Sequence, residues 1–494
     1  MVQVWMILLL GSVLLRAGGP EMHAVPKWPV AAAYLAGMLC IALSVHAGVT
    51  VLGRAMDRTG KFRNVIWADR LLVAGRLLAI IWHLVGVFVL GWVELVHSVL
   101  GNLVLVDELA AILPPVLVIV SGWWAFAAIE VRLRASSLIR ALDDSRPVYP
   151  VFSRWSYLSG QVRHQVLLAM VPVSVALGWA EAVEFAQVAA VERGLLELEL
   201  ARRVGLGVHL TGLVCVFVTA PLLIRRLWST VPLESGPLRD RLIDICRSQG
   251  VRARHLLVWR THGSMANGAV LGFTRHFRYI LLTDALLDTL REREVEAVMA
   301  HEVAHVRLRH IPWMLAAVAV GVAMGSFVLL GAWELAGNPL PFLTSPTWWD
   351  RWMGEGARTY DGVVAQAGDI IAMCGALLGA LLVIGPVSRR FEWQADAFAA
   401  KLLSRDDLRM EATTVTTEAA HAMIGALDTV ARFNYIPKGR FTWRHGSIGY
   451  RQARLQRLVG GSTNRLPIDR SVGWIKIALG IGVLGVLGIM MLGG

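Results

Sequence analysis

The chain has 494 residues, of which 56% are hydrophobic and 17% charged, with 48 Lys and Arg against 36 Asp and Glu. Soluble domains carry about 25% charged residues, and the mean hydropathy here is +0.56. A disordered, fibrous or ordinary cytosolic protein is excluded, and a mostly α, polytopic membrane protein is expected.

In chain order, apolar runs long enough to cross a ~30 Å hydrocarbon core lie near 29–53, 77–96, 110–131, 165–183, 204–224, 311–333, 369–388 and 472–492. The shorter opening run, Val2 to Leu15, reads as a ninth span or a signal-like segment, and it lacks a basic n-region. About eight to nine transmembrane helices are expected. The stretch after 29–53 carries Arg54, Arg58, Lys61, Arg63 and Arg70, and the one after 110–131 carries Arg132, Arg134, Arg140, Arg146, Arg154 and Arg163. Residues 97–109 hold no Lys or Arg, and the 334–368 loop has only Arg351 and Arg358. Basic and non-basic loops alternate, which by the positive-inside rule puts 225–310 and 389–471 in the cytoplasm. The net charge of +12 then follows from topology; membrane lipid is a partner, and nucleic acid, for which no motif is present, is not. The excess of Arg (43) over Lys (5) suggests a GC-rich genome and a bacterial inner membrane. Cys40, Cys215, Cys246 and Cys374 form no CxxC pair, so neither redox chemistry nor a cysteine metal site is supported. His46, His83, His209 and Glu181 fall inside spans, where such groups mark a polar pathway or make ordinary interhelical hydrogen bonds.

Residues 301–305 read His-Glu-Val-Ala-His. Two His at i and i+4 share one helix face and can bind one Zn²⁺, and Glu302 stands beside the first ligand as a base for metal-activated water. Thr289 with Glu292 reads as a capping box, and Val295, Val298 and Met299 as an apolar face. The helix is expected to run directly into the span at Ile311. A catalytic zinc takes a third protein ligand and leaves one position open. Glu392 lies 87 residues after His305, with Asp396 one helical turn on. Glu392 fits the third ligand and Asp396 an orienting carboxylate beside a ligand imidazole; alone, both would read as solvated acids of an amphipathic helix. The two apolar runs in 311–388 form a membrane hairpin that leaves and re-enters on one face, returning Glu392 to His301 and His305. Ala269–Phe273 and Tyr279–Thr283 read as short strands, either a structural hairpin or an edge to which an extended peptide adds by main-chain hydrogen bonds.

The motif set resembles the integral-membrane zinc metallopeptidases that include the CAAX prenyl endopeptidases and the HtpX-like heat-shock proteases, the HExxH…ExxAD gluzincins. Ser388–Asp396 matches their SRRFExxAD pattern, Asn267–Gly272 their N-A-x-x-x-G segment, Leu282–Leu287 their strand and helix start, and His445–Arg451 their H-P-S/P-x-x-x-R segment. Roughly 226–310 and 388–458 are covered. The resemblance implies one zinc per chain held by His301, His305 and Glu392, with Glu302 as base. It further implies an oxyanion-stabilising His445, the carboxylate Asp396 near a ligand, an Arg451 holding Glu392, and substrate contacts from Asn267, Ala269 and Leu271. Gly446 departs from the usual Pro, which leaves His445 open to reading as a surface histidine. The expected organisation is a multi-span region (1–225), the first half of a cytoplasmic α+β peptidase domain (226–310), the hairpin (311–388), the second half (389–466) and a terminal membrane helix (467–494). Peptide or membrane-protein substrates, lipidated ones among them, are implied; oligomeric state is not legible. The rivals are a catalytically silent zinc-containing scaffold or chaperone, and a transporter, whose inverted repeats the sequence lacks.

Overall fold

The computed structural model describes residues 4–17, 28–101, 103, 105–143, 153–272, 274–336, 360–405, 413–464 and 466–492. Arg146, Phe273, Arg351 and Arg358 lie outside them. Contacts divide the chain into two units, one of 1–227 with 340–366 and one of 228–339 with 367–494.

The first unit is helical among its described residues. Helix α1 (Val4–Ala17) is about 21 Å long at 1.5 Å per residue, too short to span the bilayer. Its Met6, Leu9, Leu10 and Val13 are buried in the core of this unit. Eight helices among the described residues are long and apolar enough to cross, five of them here. They are α2 (Trp28–Thr59), α3 (Arg63–Phe88), α5 (Val106–Asp143), the run of α6 (Arg154–Gln161), a π-helical turn and α7 (Leu168–Glu192), and α8 (Leu198–Leu227). The expected span at 77–96 is displaced. The chain breaks after Phe88, Gly91 takes a left-handed φ of 68°, and a separate short helix, α4 (Trp92–Leu100), follows. Arg63 and Arg70 thus sit in α3, and Arg132, Arg134 and Arg140 in α5, rather than in loops. Arg132 pairs with Asp57, tying the polar ends of α5 and α2. Of the intramembrane groups, His83 is buried and bonded through Nδ1 to the Tyr34 hydroxyl at 2.9 Å, an ordinary interhelical contact.

The second unit carries a four-stranded sheet of order β1 (Thr230–Pro232), β2 (His255–Trp259), β4 (Tyr279–Thr283), β3 (Gly268–Leu271), in which β2 and β4 are parallel and the other pairs antiparallel. Every residue of β4 is buried. Helices α9 (Pro237–Ser248), α10 (Asp284–Thr289), α11 (Glu292–Arg307) and α14 (Thr417–Phe433) contribute to one apolar core through Leu242, Ile245, Leu286, Val295, Met299, Val303, Met423 and Leu427. The membrane helices here are α12 (His310–Ala336), α13 (Tyr360–Leu403) and α16 (Pro467–Leu492), with α15 (Ile448–Gln456) before the last.

Helices α12 and α13 meet at main chain. A Cβ on Gly321 would lie 2.7 Å from the Gly379 carbonyl oxygen, and one on Gly325 would strike the Gly375 carbonyl. Two small-xxx-small pairs, Gly321/Gly325 and Gly375/Gly379, face each other, the arrangement by which membrane helices approach most closely. Ser326 Oγ adds a bond to the Ala372 carbonyl at 3.1 Å. The expected boundary at 388 does not exist as a break. α13 continues unbroken to Leu403, so the arm that returns through the membrane also carries Glu392 and Asp396.

Candidate metal centre

Helix α11 starts two residues later than Thr289 and Glu292 suggest. Thr289 belongs to the end of α10, its hydroxyl donating to the Ala285 carbonyl at 2.6 Å. The N-cap of α11 is Arg291, whose backbone N–H donates to the Glu294 carboxylate at 3.2 Å. From there the apolar positions face the core and His301 and His305 emerge together on the other side. Their Nε2 atoms stand 3.2 Å apart, close to the edge of about 3.3 Å that a tetrahedral ion with nitrogens at 2.0–2.1 Å requires. Glu392 completes the set, Oε2 at 3.6 Å from His301 Nε2 and Oε1 at 3.8 Å from His305 Nε2. Among the described residues these three form the one group of His, Cys, Asp or Glu whose ligand atoms converge this closely.

The surrounding polar groups fix these donors. Asp396 Oδ1 lies 3.0 Å from His301 Nδ1, so that nitrogen carries the proton and Nε2 keeps its lone pair. Arg451 is buried and clamps Asp396 with two bonds, Nε to Oδ2 at 2.7 Å and Nη2 to Oδ1 at 2.6 Å. Its Nη1 reaches Glu392 Oε2 at 3.2 Å. Arg451 therefore holds Asp396 with two bonds and Glu392 with one, where the resemblance implied Glu392. His445, half exposed, places Nδ1 3.1 Å from Glu392 Oε1. Its loop is closed by paired main-chain bonds between Thr442 and Gly446 at 2.8 and 3.1 Å, with Gly446 at φ 75°. Proline is locked near −65°, so Gly446 belongs to a turn that the family-typical Pro could not form.

Burial disfavours the Glu302 carboxylate and raises its pKa above the usual range. His305 is pushed down to about 3 by burial and then by the neighbouring imidazoles. Burial opposes a charged His301 as well, but the hydrogen-bonded Asp396 prevails and the net direction is upward. Burial acts against the Arg451 guanidinium too, and Asp396 overcomes it, again raising the pKa.

The strand segment packs against the same helix. A Cβ on Gly268 would lie 2.9 Å from Val298 Cγ1 and 3.4 Å from Glu302 Cγ, so β3 passes beside the Glu302 side chain. Thr283 joins the two strand motifs: its hydroxyl accepts from the Asn267 N–H at 2.9 Å and from Leu286 N–H at 3.3 Å, while its own N–H donates to the Asn267 carbonyl at 3.0 Å. Residue 267 is thus a hydrogen-bonded partner of 283, and by antiparallel alternation so are 269 of 281 and 271 of 279. The main-chain groups on the open edge belong to Gly268 and Val270, not to Asn267, Ala269 and Leu271.

Sequence reasoning missed three features. Asn434 holds the start of β3, its side chain bonding Ala266 N–H at 3.1 Å and Ala266 carbonyl at 2.8 Å. Leu308 and Arg309 separate α11 from α12, Arg309 at φ 56°, so the HExxH helix does not run on into the membrane. Beyond that break, His310, Gln394 and Asp469 line up behind His305.

A His, His, Glu donor set with an adjacent glutamate, in an α+β unit joined through membrane helices, defines the HExxH class of metallopeptidase site. Residues 233–424 match the model described as Peptidase family M48. It is 28% identical over 206 residues to the CAAX prenyl protease 1 homolog of Arabidopsis thaliana (41% of this chain, 46% of that protein) and 26% over 206 residues to that of Oryza sativa subsp. japonica (41% and 45%). To the Protease HtpX homolog of Limosilactobacillus fermentum it is 37% identical over 123 residues (25% and 38%). The chain spans about half the length, or less, of these curated relatives. Among solved structures, S. mikatae Ste24p covers 87% of this chain and 99% of its own, at 14% identity and a TM-score of 0.42.

Proposed function

We propose that the chain is a membrane-embedded zinc metalloendopeptidase, acting at the cytoplasmic membrane face on membrane-associated or lipidated proteins. The observation that carries this reading is the convergence of His301, His305 and Glu392 donors within 3.2–3.8 Å of one another with Glu302 on the same helix. Two imidazoles and a carboxylate at tetrahedral spacing suit Zn²⁺ and leave a coordination position open. When bound there, such an ion supplies Lewis acidity toward water and a peptide carbonyl.

The chain's own residues do the rest. Glu302 accepts the proton of the attacking water and passes it to the leaving amine, a role worth ~10²–10⁴-fold; its raised pKa makes it a stronger proton acceptor than an exposed carboxylate. His445 lies beside Glu392 on the more exposed side of the site and opposes negative charge developing on the carbonyl oxygen. A peptide paired with the open Gly268 and Val270 groups would run past Glu302, held by its main chain with little reading of its sequence. The alternation of basic and non-basic stretches along the sequence supports a cytoplasmic placement of 225–310 and 389–471.

The test is Glu302→Gln in the full chain. Zinc content by elemental analysis stays at one per chain while peptide cleavage falls at least ~10²-fold. Cleavage at the wild-type rate, in material free of host proteases, refutes the assigned base. The same variant, expressed in native membranes, retains substrates for identification.

A further inference from the structure

The two imidazoles of the centre are supported differently. His301 Nδ1 meets a carboxylate directly. His305 Nδ1 instead lies 3.0 Å from His310 Nδ1, and His310 Nε2 lies 2.9 Å from Gln394 Oε1. Gln394 Nε2 in turn donates to Asp469 Oδ1 at 2.6 Å. Resting on the metal-site reading above, we infer that His310, Gln394 and Asp469 are positioning residues for His305: they form a one-way hydrogen-bond chain that holds His305 in its Nδ1–H tautomer and makes the terminal membrane helix α16 a working part of the metal centre.

The direction is forced from the far end. An ionised carboxylate only accepts, so Asp469 selects the amide NH₂ of Gln394 and turns Oε1 toward His310. An amide oxygen only accepts, so His310 Nε2 must donate. In a neutral imidazole the other nitrogen is then an acceptor, so His305 Nδ1 must donate to it. That leaves the lone pair of His305 on Nε2, the atom 3.2 Å from His301 Nε2. Each link admits one assignment.

The backbone is shaped for this contact. Five residues along an unbroken helix is about 140° around its axis, which would carry position 310 away from His305. The reversal at Arg309, φ 56°, returns His310 to within 5.0 Å of the His305 ring, centroid to centroid. The His310 ring is buried and stacked on Phe391 at 4.4 Å and 5°. Lys476 of α16 donates to the Leu308 carbonyl at 2.8 Å, pinning the reversal itself.

Outer hydrogen-bond partners of metal-bound histidines are worth 10–100-fold in metal affinity. The decisive variant is His310→Phe, which keeps a ring of similar size but removes the acceptor for His305 Nδ1–H; Asp469→Asn, whose amide can offer either its oxygen or its NH₂ to Gln394, loosens the direction from the far end. The full chain in nanodiscs is titrated with zinc against a chelator, and the cobalt-substituted protein is read by visible absorption. Asp469→Asn and His310→Phe should each weaken zinc binding 10–100-fold and alter the cobalt spectrum, and the double variant should lose no more than the worse single one. Gln394→Met supplies the same break should Asp469→Asn fail to fold. Wild-type affinity in His310→Phe, or losses that multiply in the double variant, would overturn the chain. Failure of the wild type to bind zinc would instead sink the metal site itself.

Discussion

The α12–α13 pair of the second unit packs differently from the membrane helices of the first. In the first, glycine notches receive side chains: Gly86 takes the Tyr34 ring, Gly75 the Val45 side chain, Gly48 that of Leu71 and Gly37 the Trp82 indole. In the second, Gly321 and Gly325 meet Gly375 and Gly379 main chain to main chain. A side chain in a notch can change rotamer; a backbone carbonyl in a helix cannot move without the helix. The stiffer contact lies between α12 and α13, the helix whose continuation holds the Glu392 oxygens 3.6 and 3.8 Å from two imidazole nitrogens. Rigid placement is found where chemistry needs it.

The sharpest break of this contrast is Gly325→Leu. The new side chain has only the Gly375 main chain to displace, so α12 and α13 must separate. Glu392 would then leave His301 and His305 although no ligand has been altered. The expected result is loss of stoichiometric zinc and of all cleavage, read by elemental analysis and peptide hydrolysis. Retained zinc would mean that the hairpin does not set the site.

Next in size is Arg451→Ala. Arg451 and Asp396 are both almost fully buried, and removing one member of a buried pair costs about 3–5 kcal/mol because the other charge is left uncompensated. The comparison in the first unit is Tyr34→Phe, which orphans a neutral His83 nitrogen at about 1–3 kcal/mol. Denaturant unfolding of both variants measures the gap. The Arg451 variant should also lose zinc affinity, since Asp396 is what holds His301; the Tyr34 variant should not.

Much of the centre was legible because its parts are helical repeats. His301 with His305, and Glu392 with Asp396, are each one turn apart, and a turn is visible in any sequence. The hairpin that unites them was visible as two apolar runs. The supporting chain behind His305 was not, because it depends on a left-handed backbone at Arg309, a residue type that gives no warning of it. Asp469 was hidden for another reason: it lies 75 residues from Gln394, at the start of a helix whose hydropathy speaks only of the membrane. The same blindness displaced the span at 77–96, where an apolar run crosses the break at Gly91 without a change in composition. Thr289 misled because two short helices abut, and a capping signature fits either junction. The open edge of β3 required the register, which alternation of residue types in a four-residue strand cannot supply.

The smallest effect should come from Gly75→Ala, and its value lies in being small. The three atoms nearest the added methyl all belong to the Val45 side chain, which is β-branched with few rotamers but is not a main-chain contact. Overpacking of this kind costs about 1–3 kcal/mol, so unfolding should shift while zinc affinity and cleavage stay at wild-type values. If Gly75→Ala instead releases zinc as Gly325→Leu does, the metal centre depends on packing in both units, and the difference between notch and backbone contact is not what protects it.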